Sequence, residues 1–293
     1  MDALTLVQLL LNAAALGAAY ALVALGFVLV INATGAVNFA HGDLVMAGGF
    51  LSVALASALP LPGIILLPAV AALMALLGLA LSAAAYLPLR NRPPAAVFIS
   101  TIAVGVMLQN GANAIFGAAP RGGPALAGDG ALSLGGLALD RQSAAVIAAA
   151  AILLAATHLL LAHTQLGKRM RATAQDPEMA RALGVRTGRM IALTFALAAA
   201  LAGTAGLLLS NRYFVTPAEG GSLMLKAYIA VVIGGWGRIG GAVMGALLIA
   251  LFESVVAAFL SQPVAEASLY AVLLIVLFVR PGGLLGEVEG RRA

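Results

Sequence analysis

Long apolar segments recur along the whole chain and constrain its fold more than any other feature. Only 9% of the residues are charged, against roughly 25% in a soluble globular domain, so the chain cannot cover itself with a water-soluble surface. About 20 apolar residues are needed to cross a bilayer core. On that measure the candidate segments are Leu4–Ile31, Val37–Leu59, Gly63–Leu89, Ala95–Gly117, Ser143–Leu161, Met190–Ser210, Leu223–Gly234, Gly241–Leu260 and Val264–Val279.

The sequence therefore predicts an all-α, polytopic integral membrane protein with about eight to ten transmembrane helices and a best count of nine. The range in the number of transmembrane helices comes from two segments. Leu223–Gly234 is too short for a regular span, and Val37–Leu59 is interrupted by glycines, so either is expected to be broken or re-entrant. Residues 1–293 are predicted to form one transmembrane domain. The chain has no cysteine, which excludes disulfides and cysteine-based metal sites, and no metal site is predicted.

The basic residues predict which connections face the cytoplasm, because cytoplasmic loops carry an excess of Lys and Arg. Their position between apolar segments argues against a nucleic-acid partner. Six of the 16 lie within the connection 164–189, which is therefore placed inside. Counting crossings puts six more on that side: Arg90, Arg92, Arg238, Arg280, Arg291 and Arg292. The N-terminus is then outside, the C-terminus is cytoplasmic, and the Gly- and Pro-rich connection 118–142 is an external loop with a short hairpin or helix.

Within the basic connection, residues 177–183 predict a short helix with defined ends. Asp176 is a good N-cap, and Pro177 suits the first helical position. Glu178 lies near the positive end of the helix, and Gly184 is a suitable stop. One face is predicted to carry the apolar residues Met179, Ala180 and Leu183. Such a helix either inserts into a groove on a partner protein or merely connects two spans, and the residues alone leave both interpretations open.

A polar block at a membrane boundary is the first candidate for a translocation path. It contains Asn38, His41, Gly42 and Asp43. Polar groups at membrane depth are costly and usually face a cavity or another helix, so a broken helix lining a path is one interpretation. The other is a helix start capped by Asn38, with His41 among the lipid headgroups.

Two features later in the chain are also candidate functional elements. The glycine-rich turn Gly234, Gly235, Trp236, Gly237 and Arg238 lacks the pattern of a nucleotide P-loop. It either permits close helix packing or acts as a flexible cytoplasmic gate or a contact for a partner protein.

Glu253, in the middle of an apolar segment, is either a residue of the path or a hydrogen-bond partner of a neighbouring helix. Lys226 and His158 are expected to snorkel to the interface. Segments Val37–Leu59 and Leu223–Gly234 run in opposite directions, which is the pattern of an inverted repeat whose broken helices flank a path.

Four blocks of sequence resemble the permeases of branched-chain amino acid ABC transporters. Residues 174–184, Ala-Gln-Asp-Pro-Glu-Met-Ala-Arg-Ala-Leu-Gly, look like the coupling helix of that family. Residues 37–43 contain its Asn-Phe-Ala-His-Gly signature after a similar first segment. Residues 226–242 match its late glycine-rich motif, and residues 280–286 match its C-terminal signature, although that block usually has a polar residue at Gly282.

The resemblance implies a subunit of the bacterial inner membrane that performs no catalysis. It implies assembly with a second permease, homologous or identical, with two cytoplasmic ABC ATPases and with an external substrate-binding protein. The substrate would be an amino acid. This chain would bind no cofactor, because ATP and Mg²⁺ are used by the ATPase subunits, and the helix at residues 177–183 would dock on an ATPase.

Two other classes of function compete with this interpretation. An ion-coupled secondary transporter or channel would work without an ATPase and would not need a capped helix for a partner. An intramembrane enzyme would use His41 and Asp43 as acid and base, but no nucleophile or metal-ligand spacing accompanies them.

Overall fold

The computed structural model describes residues 3–128, 131–134, 137–280 and 282–284. Its helices and strands follow one another as α1 Ala3–Thr34, α2 His41–Ala58, α3 Gly63–Leu81 with a π-helical turn Ser82–Tyr86, α4 Pro94–Phe116, β1 Ala131–Leu134, β2 Leu137–Asp140, α5 Arg141–His163, α6 Gln165–Gln175, α7 Pro177–Ala182, α8 Thr187–Tyr213, α9 Gly220–Gly234, α10 Ile239–Phe259 and α11 Gln262–Val279.

The predicted all-α membrane architecture is confirmed. Among the described residues, eight helices are long and apolar enough to cross a membrane. The remaining predicted segment, Leu223–Gly234, corresponds to the short helix α9 of 15 residues, which agrees with the prediction that it is too short for a regular span. For the connection 118–142 the sequence predicts a short hairpin or helix, and the structure has a hairpin, the antiparallel pair β1–β2.

Helices α1 and α8 form the centre of the bundle. Within the most apolar window of α1, 94% of the residues are buried, whereas the corresponding windows of α4 and α11 are 17% and 11% buried. Helix α1 packs against α5, α8, α9 and α10, and α8 packs against α2 and α3 as well. Most apolar residues of α4 and α11 therefore face outward, where a bilayer or another membrane subunit covers them.

Small residues allow the central helices to pack closely. A Cβ atom on Gly48 of α2 would overlap the backbone of Gly203 in α8, and one on Gly78 of α3 would overlap the Phe195 carbonyl of α8. Backbones that approach this closely gain dispersion contacts, which drive helix association in lipid. Gly48, Gly78 and Gly203 thus belong to close helix interfaces.

Helices α1 and α8 run antiparallel, and their contacts define the two ends of the bundle. Arg212 near the end of α8 donates a hydrogen bond to Asn12 near the start of α1 at 3.0 Å, while Gly26 of α1 lies against Ala198 of α8. We call the end that carries Arg212 and the β1–β2 connection the hairpin end. The opposite end carries the basic helices α6 and α7, and we call it the basic end.

Candidate functional site

The connection 164–189 folds into two helices with well-formed ends. Thr164 caps α6 by accepting a hydrogen bond from the Gly167 amide at 3.0 Å. Asp176 Oδ1 accepts from the amides of Glu178 and Met179, both at 2.9 Å, so the predicted N-cap is confirmed. Each such cap satisfies backbone donors that a helix start leaves without a partner.

The other end of α7 is closed by a Schellman motif. Gly184 has φ +82°, and its amide donates to the Arg181 carbonyl at 3.0 Å, while the Val185 amide donates to the Ala180 carbonyl at 2.9 Å. These are the two bonds that define the motif. The helix ends at Ala182, one residue before the predicted Leu183, which serves as its C-cap.

The predicted apolar face of α7 requires a correction. Met179 and Leu183 are 62% and 81% exposed, but Ala180 is only 3% exposed. Helix α7 packs against α6 and α8, so Ala180 is the residue that seats the helix on the rest of the chain. The presented apolar surface therefore consists of Met179 and Leu183, one helical turn apart.

The polar block 38–43 is placed deep in the bundle. Asn38 Oδ1 accepts from the Ala40 amide at 3.2 Å, and α2 begins only at His41, with Ala40 at the N-cap position. His41 is 0% exposed, and its Nε2 lies 3.0 Å from the Val23 carbonyl of α1. Of the two interpretations, the one that places His41 among the lipid headgroups is wrong, because its ring is buried between helices.

Gly42 and Asp43 join α2 to α9. A Cβ atom on Gly42 would overlap the Gly220 carbonyl, so this glycine permits close approach. Asp43 is 5% exposed and accepts a hydrogen bond from Gln109 Nε2 at 2.8 Å. Of the block's polar side chains, Asp43 borders an open groove, which it shares with Phe39 and with residues of α4 and α9.

The glycine-rich turn holds α9 and α10 together at the basic end. Gly234 lies so close to Gly241 that neither tolerates a Cβ atom, and Gly235 and Gly237 have φ of +113° and +78°. Asn32 of α1 donates to the Gly237 carbonyl at 2.8 Å. The geometry supports the close-packing interpretation of this turn. Trp236 is half-exposed, and a gating role for it and Arg238 remains a prediction.

The C-terminal signature packs on the same turn. The Leu284 amide donates to the Ile233 carbonyl at 2.7 Å, and Gly283, with φ +75°, lies against Val232 and Gly235. The remaining positions 281, 285 and 286 of that signature lie outside the described residues. Two motifs that are about 50 residues apart in the sequence thus meet at one contact.

A central cavity opens among the helices toward the hairpin end. Its volume is about 280 Å³, and its walls come from α1, α2, α8, α9, α10 and α11. Its apolar lining residues, which we call the apolar wall, include Leu16, Val45, Met46, Leu209 and Leu223. Its charged lining residues, which we call the charged wall, are Glu219, Lys226, Glu253 and Glu266.

Glu253 is the centre of a hydrogen-bonded cluster in this cavity. It is 2% exposed, and its Oε1 accepts from Lys226 Nζ at 2.8 Å and from Gln262 Nε2 at 2.7 Å. Tyr20 Oη donates to its Oε2 at 3.2 Å. Glu253 therefore has hydrogen-bond partners on three other helices, as the structural interpretation predicts, and it also lines a cavity.

Lys226 does not snorkel to an interface. Its side chain is 11% exposed, and Nζ donates to Glu253, to Tyr20 Oη at 3.0 Å and to Glu266 Oε1 at 3.3 Å. Sequence reasoning missed Tyr20, Gln262 and Glu266 as members of this cluster. A usable signal existed, because Lys226 and Glu253 are opposite charges inside neighbouring apolar segments, and such charges usually pair.

Comparison with known proteins gives consistent matches over almost the full chain. Residues 9–279 match the family model described as branched-chain amino acid transport system / permease component. The high-affinity branched-chain amino acid transport system permease protein LivH of Salmonella typhimurium is 33% identical over 295 residues, which cover 96% of each chain. LivH of Escherichia coli is also 33% identical with the same coverage, and BraD of Pseudomonas aeruginosa is 30% identical over 295 residues.

A solved structure supports the fold. The structure entitled PsaBC from Streptococcus pneumoniae in complex with Fab superposes with a TM-score of 0.51 and covers 92% of this chain and 91% of that one. The identity is 16%, so this likeness concerns the arrangement of the helices alone.

Proposed function

The chain belongs to the family of permease components of branched-chain amino acid transport systems, and on this premise we propose that it is the membrane subunit of an ATP-driven importer for branched-chain or related amino acids. The structure of α7 is the observation that supports ATP-driven transport. Its ends are fixed by the Asp176 cap and the Gly184 motif, and it presents Met179 and Leu183 at the basic end. A short rigid helix with an exposed apolar pair suits a groove on a partner.

The proposed assembly contains a second permease, homologous or identical, two cytoplasmic ABC ATPases and an external substrate-binding protein. ATP and Mg²⁺ are bound by the ATPases, and this chain performs no covalent chemistry. Its outward-facing helices α4 and α11 provide apolar surface for lipid and for the second permease.

The proposed orientation puts the basic end in the cytoplasm. At this end, a groove beside α7 is lined by Arg90, Arg181, Arg186 and Arg189, as the positive-inside rule requires. The hairpin end and the N-terminus then lie outside, where the central cavity opens toward the binding protein.

The proposed mechanism is alternating access. The binding protein delivers an amino acid to the hairpin end, ATP brings the two ATPases together, and α7 transmits that movement to the membrane helices. Because α7 packs on α8, and α8 lines the central cavity, the movement reaches the cavity through one continuous helix.

Reconstitution of the complete importer tests this proposal. In proteoliposomes with both permeases, the ATPases and the binding protein, leucine uptake is expected to require internal ATP. Leu183→Glu places a charge on an 81% exposed position, so the permease is expected to fold and to lose ATPase association and uptake together. Lys168→Glu, also in the basic connection but outside α7, serves as the charge control and should retain uptake. Uptake driven by an ion gradient without ATPases would instead establish a secondary transporter.

A further inference from the structure

We propose that the central cavity is a binding site within a single permease for the ammonium group of an aliphatic amino acid. This inference rests on the proposed function and specifies which groups of one chain hold the substrate. The cavity of about 280 Å³ exceeds the size of a small amino acid. Its lining combines apolar and charged residues, which correspond to the two halves of such a molecule.

The apolar wall matches a branched side chain. Val45 and Met46 of α2 face the cavity together with Leu209 of α8 and Leu223 of α9. These residues offer methyl groups and one adaptable thioether, which pack well around an aliphatic chain of varied branching. The wall therefore favours aliphatic over strongly polar side chains.

The charged wall favours a cation over an anion. It carries three carboxyl groups, Glu219, Glu253 and Glu266, and one ammonium, Lys226, which leaves an excess of two negative charges when all are ionised. Lys226 already donates three hydrogen bonds, which is the full capacity of an ammonium group. A carboxylate ligand alone would thus find no free donor on Lys226.

Two carboxylate side chains, in contrast, can still accept hydrogen bonds. Glu266 accepts from Lys226 through Oε1, and Glu219 accepts from Thr216 through Oε2. Among the described residues, the second oxygen of each carboxyl group has no hydrogen-bond donor. A ligand ammonium between them would form charge-assisted hydrogen bonds, which are the stronger class.

The position of Glu266 suits a ligand that enters from the hairpin end. Its side chain is 41% exposed, whereas that of Glu253 is 2% exposed. Glu253 and Tyr20 hold Lys226 deeper in the cavity, and Gln262 donates to Glu253 beside them. Glu266 is the member that can move toward a ligand, and its departure frees one Lys226 donor for the carboxylate of the amino acid.

Direct binding to the assembled importer in lipid nanodiscs tests the proposal. The complex of permeases and ATPases, without the binding protein, is incubated with radiolabelled leucine, and bound label is measured by scintillation proximity. Competition uses 3-methylbutylamine, which keeps the ammonium and lacks the carboxylate, and 4-methylpentanoate, which keeps the carboxylate and lacks the ammonium. The variants are Glu266→Gln, which removes the charge, and Glu266→Asp, which retains it.

We expect the wild-type complex to bind leucine, the amine to compete, and the acid to compete far less. Glu266→Gln should weaken leucine binding by about tenfold, as expected for the loss of one charge-assisted hydrogen bond, while Glu266→Asp stays closer to wild type. Thermal unfolding of both variants should match that of wild type, because Glu266 is the exposed member of the cluster.

Equal binding by wild type and Glu266→Gln, or stronger competition by the acid than by the amine, would overturn the proposed site. If the importer still showed ATP-dependent leucine uptake after such a binding result, the proposed function would stand and the proposed binding site would not. Failure of the wild-type importer to transport any amino acid would instead refute both proposals.

Discussion

Removing the Lys226 ammonium tests the structural role of the cavity cluster most directly. Lys226→Met keeps a similar length and apolar stem but leaves Glu253 without its cationic partner. The two charged atoms are 2.8 Å apart, and the side chains are 11% and 2% exposed. Glu253 would keep the hydrogen bonds from Tyr20 and Gln262.

The expected loss of stability in Lys226→Met follows from the geometry of the ion pair. At 2.8 Å and an effective dielectric constant of about 20, the attraction between unit charges is roughly 6 kcal/mol, part of which offsets the desolvation of both groups. Breaking a buried pair by removing one partner costs about 3–5 kcal/mol. Because Glu253 keeps two other donors, we expect a loss near the lower end, about 3 kcal/mol.

The assay is thermal unfolding of the permease in nanodiscs, followed by circular dichroism. A loss of that size lowers the unfolding midpoint by roughly 6–12 °C. The control is the double variant Lys226→Met with Glu253→Gln, which removes the unpaired charge and should recover most of the lost stability. If Lys226→Met unfolded at the wild-type temperature and the double variant was no more stable, Glu253 would not be held as an ion pair, and the reasoning would be refuted.

Three further changes test other parts of the structure. Asp176→Ala removes the cap of α7 and should cost about 0.5–2 kcal/mol of local helix stability, lowering recovery of the ATPases in co-purification; full recovery would deny the cap a role in docking. Gly42→Ala forces a methyl group against Gly220 and should lower the unfolding temperature, and an unchanged temperature would contradict the tight α2–α9 contact. Single cysteines at Ala119 and Gln175 should be labelled by an impermeant reagent from outside the cell and from inside, respectively; the reverse result would invert the topology.

Sequence reasoning succeeded where the information is local. Hydropathy over about 20 residues identifies a span, and the pattern from Asp176 to Gly184 specifies both ends of α7 because caps are made by neighbouring residues. The face of α7 was predicted less well. A helix of six residues is too short for its periodicity to reveal which side is buried, so only the packing against α6 and α8 shows that Ala180 points inward.

The cavity cluster could not be predicted in the same way. Tyr20 and Glu253 are 233 positions apart in the sequence, and their contact depends on how α1 packs against α10. Glu253 was recognised because an isolated carboxyl group in an apolar segment is costly. Its partners were not, because Tyr20 and Gln262 are ordinary residues in their own segments, and only the folded chain brings them together.

The arrangement also indicates how the two candidate sites communicate. Helix α8 begins at Thr187 beside α7 and ends at Tyr213 on the cavity wall, so one unbroken helix of 27 residues joins the basic end to the cavity. Helix α9, in contrast, is tied to α10 at its C-terminal end by the Gly234–Gly241 contact and near its middle by the Lys226–Glu253 pair. A displacement of α8 by the partner at α7 would therefore move Leu209 and Ser210 relative to a fixed charged wall. We accordingly expect ATP-driven movement to change the apolar side of the cavity first and to leave the Lys226–Glu253 pair intact.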